Sequence, residues 1–123
     1  MAKNVLGSNL EICCEDPVTG FYRNGKCDTS SEDQGMHTVC VEITNDFLTF
    51  SKATGNDLTT PHKLSGFKGL KEGDRWCICL SRWVEAYEAG KAPKIYLKST
   101  HISTIEFIES KVLNEFAIDA KME

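Results

Sequence analysis

The stretch Gly73–His101, G-D-R-W-C-I-C-L-S-R-W-V-E-A-Y-E-A-G-K-A-P-K-I-Y-L-K-S-T-H, constrains the fold more than any other part of the chain. Trp76, Cys77, Ile78, Cys79 and Leu80 are apolar at successive positions, the pattern of a strand covered on both faces. Ser81 has the chemistry of a helix N-cap, Gly90 that of the residue just past a helix end, and Pro93 that of a stop. Ile95 and Leu97 then alternate with Tyr96 and Lys98. The 13 residues between Leu80 and Lys94 suffice for a parallel crossover. This predicts a strand-helix-strand unit with two strand-to-helix junctions, Ser81-Arg82 and Thr100-His101, on one sheet edge.

The preceding segment has its own periodicity. Val39, Val41 and Ile43 alternate with Thr38, Cys40 and Glu42, which predicts a strand over Met36–Thr44. Thr44 or Asn45 then caps a helix carrying Phe47, Leu48 and Phe50, closed by Gly55. Residues 56–71 show no period and read as a long loop. Ser103 and Glu106 have capping-box spacing, with Thr100 a rival cap one turn earlier, and Ser110 opens a second helix with Val112, Leu113 and Phe116 inward. Residues 1–35 are rich in turns, with a short strand over Leu10–Cys13 and a small hairpin over Phe21–Cys27 around Asn24-Gly25. The expected fold class is α+β: a small mixed sheet containing a parallel strand-helix-strand unit, with helices packed on it and a turn-rich N-terminal hairpin region, all in a single domain, 1–123.

Composition narrows the function classes. The net charge of −4 offers no basic face for phosphates, which argues against a nucleic-acid partner. The N-terminus lacks the apolar run of a signal peptide, and no segment has the length of a membrane helix, so the expected location is cytoplasmic, with no membrane partner. In that compartment the six cysteines are expected as thiols or metal ligands rather than disulfides. Cys77 and Cys79 share a strand face roughly 7 Å apart, too far for a mutual disulfide.

Several runs recur together in a known pattern: N-V-L-G (Asn4–Gly7), D-P-V-T-G-F-Y-R (Asp16–Arg23), H-T-V-C (His37–Cys40), F-L-T-F-S (Phe47–Ser51), G-N-D-L-T-T-P (Gly55–Pro61), G-D-R-W-C-I-C (Gly73–Cys79), R-W-V-E-A (Arg82–Ala86) and T-H (Thr100–His101). With these the chain resembles the bacterial uncharacterised family called domain of unknown function 2237. The resemblance implies no activity or cofactor, so function rests on the residues.

Three readings follow from them. In the first, Ser81, Arg82, Thr100, His101 and Asn45 gather at the strand-to-helix edge and bind a small anionic ligand, because helix N-termini offer free N–H groups and partial positive charge. His101 is then the candidate for moving a proton. In the second, Cys27, His37 and Cys40 belong to a metal or thiol centre, although His37 and Cys40 point to opposite faces of a straight strand. Cys40, Cys77 and Cys79 also suit small core positions. In the third, the protein is a non-catalytic oligomeric module with Tyr22, Trp83 or Tyr87 as contacts. Motifs for phosphate loops, dinucleotides, serine nucleophiles and zinc proteases are missing.

Overall fold

The computed structural model describes residues 2–62, 64 and 66–122. In chain order the regular elements are β1 (Val39–Glu42), α1 (Asn45–Ala53), β2 (Arg75–Ile78), α2 (Leu80–Glu88), two 3-10 turns (Leu97–Ser99 and Ile102–Glu106) and α3 (Ser110–Phe116). The class is α+β, as expected.

β1 and β2 pair antiparallel, with Val39 opposite Ile78, Cys40 opposite Cys77, Val41 opposite Trp76 and Glu42 opposite Arg75. Paired residues share a face, so the ladder separates two interiors. Val39, Val41, Trp76 and Ile78 enter the main apolar core with Phe47, Leu48, Trp83, Ile95, Leu97 and Leu113. Cys40 and Cys77 enter a second cluster with Cys13 and Cys27.

The expected parallel strand over residues 94–98 is reduced to bridges at Ile95. Ile95 meets Val41 antiparallel and Ala117 parallel. Beyond it the Asp119 carboxylate accepts the N–H groups of Leu97 and Lys98, at 2.7 and 3.1 Å. A side chain thus takes the donors that a ladder would use, and the chain turns into a 3-10 segment. The regular sheet is therefore two antiparallel strands rather than the mixed sheet the alternation suggested.

Local signals place the helices. Thr44 caps α1, its Oγ1 accepting the Phe47 N–H at 3.1 Å, and Gly55 leaves the helix at φ +99°. α2 starts earlier than expected: its N-cap is Cys79, not Ser81, because Leu80 already buries against the core. Among the 3-10 turns, His101 is the cap of the second, its Nδ1 accepting the Ser103 N–H. Glu109, not Ser110, precedes α3.

The largest departure is in the N-terminal region. Four of the cysteines form disulfides, Cys13–Cys40 and Cys27–Cys77, where thiols were expected. The burial expected of Cys40 and Cys77 holds, but their partners come from loops whose positions carry no periodic signal. The hairpin and the Leu10–Cys13 strand do not form. Instead Gly25 O accepts the N–H groups of both Cys13 and Cys14. Gly20, at φ +96°, lets the chain fold back: a Cβ there would lie 2.1 Å from Lys26 O. Among the described residues, no helix is long and apolar enough to cross a membrane.

Candidate functional site

The two cysteines left free are Cys14 and Cys79. Cys79 occupies the step from β2 into α2. Its side chain makes no cap hydrogen bond with its own helix. Its Sγ instead lies 3.2 Å from His37 Nε2. His37 Nδ1 in turn lies 2.7 Å from Asp33 Oδ1. A thiol, an imidazole and a carboxylate thus stand in a row, each within reach of the next, which is the arrangement of an activated nucleophile, its base and the group that orients the base.

The local sequence explains how the three meet. Asp33 begins a tight turn in which Met36 takes φ +49°, a conformation bulky side chains rarely hold. Asp33 Oδ2 accepts the backbone N–H of His37 at 2.8 Å and the hydroxyl of Thr29 at 3.0 Å, so one buried carboxylate fixes both the main chain and the ring of His37. Leu80 N–H donates to Met36 O at 3.0 Å, which ties the start of α2 to the residue before His37 and brings positions 37 and 79 together. Gly35 packs against both groups. A Cβ there would lie 3.1 Å from His37 Cε1 and 3.2 Å from Cys79 Sγ, so only glycine leaves the pair undisturbed. The Phe21 ring stacks near the imidazole, with centroids 6.2 Å apart.

The electrostatics follow from these contacts. The hydrogen bond to the Cys79 sulfur is the main reason that His37 is pushed up to about 9; burial opposes it, and the Asp33 carboxylate adds to the rise. For Asp33, burial of its side chain would raise the value. The hydrogen bonds from the ring and backbone of His37 outweigh that and hold it below the ordinary carboxylate range. His37, set between a carboxylate and a sulfur, thus holds its second proton to higher pH than an ordinary histidine. The α2 N-terminus starts at the same point. The N–H groups of Ser81 and Arg82, in its first turn, have no intrahelical acceptor.

Cys79 and His37 border a cleft of about 300 Å³ that runs along β2 from Trp76 to Cys79. Phe21, Phe67 and Trp76 give it apolar walls, and Arg23 and Asp57 give it charge. Arg23 holds φ +54° and lays its guanidinium 5.1 Å from the Trp76 ring centroid. Asp57 accepts from the side chain of Thr60 and from the side chain and backbone of Thr59, which holds it far below its ordinary value.

The residues expected to form an anion site are distributed differently. Arg82 Nη1 donates to Thr54 O at 3.2 Å and pairs with Glu85 at 3.4 Å. His101 Nδ1 meets Ser103, and its Nε2 lies 3.8 Å from Asp28. Thr100 is buried, where its Oγ1 accepts the Cys40 N–H and donates to Tyr96 O. Asn45 gives its N–H to Glu72. Ser81 is exposed on the first turn of α2. Of the expected metal or thiol set, Cys27 and Cys40 lie in the disulfide cluster, whereas His37 faces Cys79. Trp83, offered as an oligomer contact, is 1% exposed and donates its Nε1–H to Pro93 O, while Tyr22 and Tyr87 remain exposed.

Sequence reasoning read Cys79 as a small core residue, whereas it is free and half-buried at the cleft, and it missed Asp33. The available signal was the strand-to-helix step itself. A cysteine as the last residue before a helix meets the positive end of that helix, but Ser81 drew the cap assignment two residues too far. No curated protein matches the chain. A family model matches residues 3–117, so the chain belongs to the family of uncharacterized proteins conserved in bacteria known as domain of unknown function 2237.

Proposed function

We propose that the protein is a cysteine-nucleophile enzyme that acts on a small acyl substrate, with Cys79 as nucleophile, His37 as acid and base, and Asp33 as the residue that positions His37. The observation that carries this reading is the Cys79–His37–Asp33 row, with contacts of 3.2 and 2.7 Å, opening on the β2 cleft. In the first step the Cys79 sulfur attacks the acyl carbon, the bond to the leaving group breaks, and the His37 imidazolium gives that group its proton. In the second, water attacks the thioester, His37 takes a proton from it, and the carboxylic acid leaves as the Cys79 sulfur returns. The first-turn N–H groups of Ser81 and Arg82 are the donors available for the oxyanion that develops on the acyl oxygen. The apolar walls suit a substrate with a hydrocarbon or aromatic body, and Arg23 suits a carboxylate at its far end.

The test is acylation by p-nitrophenyl acetate followed by intact-mass measurement and peptide mapping. The expected result is an acetyl adduct on Cys79 that turns over, lost in Cys79→Ser. His37→Gln is expected to slow acylation by about 10²–10⁴-fold. Equal labelling of Cys14 and Cys79, or turnover unaffected by Cys79→Ser, would reject the reading.

A further inference from the structure

The second interior of the molecule is made of sulfur. Cys13, Cys27, Cys40 and Cys77 are 0–2% exposed and form a cluster of their own, with Tyr96 packed against it. Each comes from a different place in the chain. Cys40 and Cys77 stand opposite each other on one face of the ladder, and Cys13 and Cys27 reach them from the N-terminal loops. The sulfurs of Cys13, Cys27 and Cys77 lie within 4.8 Å of one another, and Cys40 is bonded to Cys13. Four sulfurs around a tetrahedral ion with bonds of about 2.3 Å stand roughly 3.8 Å apart. The fold therefore gathers three sulfurs on the scale of one metal site, with the fourth, that of Cys40, bonded to one of them.

We propose that, once reduced, these four cysteines form a buried tetrathiolate site for a soft divalent metal ion, zinc above all. The donor set is sulfur alone, which selects zinc or a comparable thiophilic ion over magnesium, calcium or manganese. Four thiolates around a divalent ion leave a net charge of −2, and the ladder face that carries Cys40 and Cys77 also carries the Arg75 cation, opposite the Glu42 carboxylate. Arg75 precedes Cys77 by two residues on the same strand face. Its guanidinium lies 3.8 Å from the Tyr96 ring centroid, and its Nε is buried with no hydrogen-bond partner. The interconversion balances with a dithiol as reductant. Each disulfide takes two electrons and two protons from one dithiol, which closes into its own disulfide. The metal then displaces four protons from the four thiols. In a reducing compartment such as the cytoplasm, where structural disulfides are rare, the metal-loaded form is the one that keeps the N-terminal loops tied to the sheet. Neither Cys14 nor Cys79 takes part, so the site is independent of the acyl chemistry proposed above.

The test uses the full chain, reduced with dithiothreitol, desalted without oxygen, and titrated with Co²⁺. The expected result is one ion per chain with the visible spectrum of a tetrahedral tetrathiolate site, displaced by Zn²⁺. Cys14→Ser and Cys79→Ser keep that spectrum, and Cys27→Ser loses it. Because Cys27→Ser could fail to fold, alkylation of the wild-type protein supplies a second readout. Zn²⁺ is expected to protect Cys13, Cys27, Cys40 and Cys77 from iodoacetamide while Cys14 and Cys79 are labelled. No uptake by the reduced chain, an octahedral spectrum, or loss of binding in Cys14→Ser or Cys79→Ser would overturn the proposal.

Discussion

Val41 and Cys40 are neighbours in β1, yet their side chains enter interiors of different construction. On the Val41 side, α1, α2 and α3 bring Phe47, Trp83 and Leu113 onto the ladder, and burial of each such side chain contributes about 1.5–3 kcal/mol. On the Cys40 side the described residues packed on the ladder are Cys13 and Cys27 from the N-terminal loops, and Tyr96. Turns and loops lie over the ladder there, and loops bury little apolar area for the chain entropy they lose. Cys13 and Cys27 tie them covalently to β1 and β2, with a buried hydrogen bond from the Cys77 N–H to Thr19 Oγ1 at 2.8 Å beside them. One face is held by area and the other by covalent links, so the two should respond to different perturbations.

The sulfur face is the easier to break in one stroke. Removing both links with Cys40→Ala and Cys77→Ala is expected to cost about 4–8 kcal/mol, at roughly 2–4 per disulfide, in metal-free protein. The unfolding midpoint in urea, with and without reductant, checks this. The wild type should move towards the variant when reduced, and the variant should not respond to reductant.

The apolar face should ignore reductant. Trp83→Ala, at a side chain 1% exposed, is expected to cost about 3–5 kcal/mol under either condition. A loss that depends on the redox state would mean that the two interiors are coupled through the ladder.

Where the faces meet, at Cys79 and His37, the response is to pH. His37 is raised from 6.5 to about 9 in the fold. Its contribution to stability is therefore complete below pH 6.5 and is lost as the pH climbs through 9. Asp33 works in the other direction. Held below its ordinary 3.8, it stabilises above that pH and ceases to as the pH falls through its folded value. Melting temperature against pH is expected to fall between pH 6.5 and 9 in the wild type and to flatten there in His37→Gln. Cys79→Ala removes the largest cause of the rise, so the imidazole titration, followed by NMR, should move down in that variant.

The smallest effect is local to the apolar side. Thr44→Ala removes the α1 cap and is expected to cost about 1 kcal/mol, with Thr44→Ser restoring most of it. Chemical denaturation of the three proteins decides this. A null result would mean that packing of Phe47 and Leu48 alone holds the start of α1.

The two interiors also differ in how far they could be read in advance. The alternation of Val39, Val41 and Ile43 and the apolar Phe47, Leu48 and Phe50 after a capping residue announce elements because each repeats a local geometry. The same holds for α2 up to its first residue. The sulfur face has no such period. Six cysteines admit many pairings, and those that formed join residues 27 and 50 positions apart. The candidate site suffered likewise. Cys79 and His37 are 42 residues apart, and His37 stood out only as a metal candidate. The Asp33 turn, the Leu80–Met36 hydrogen bond and the bare face of Gly35 make the pair, and each is a relation between segments.

By itself, then, the sequence determined the β1 strand, the three helices, the α+β class and the family, since periodicity, capping and contiguous motifs act within a few residues. Tertiary structure decided which strands ladder, which cysteines share the second interior, and which histidine a thiol meets. Those outcomes depend on distances between parts of the chain that no local preference encodes.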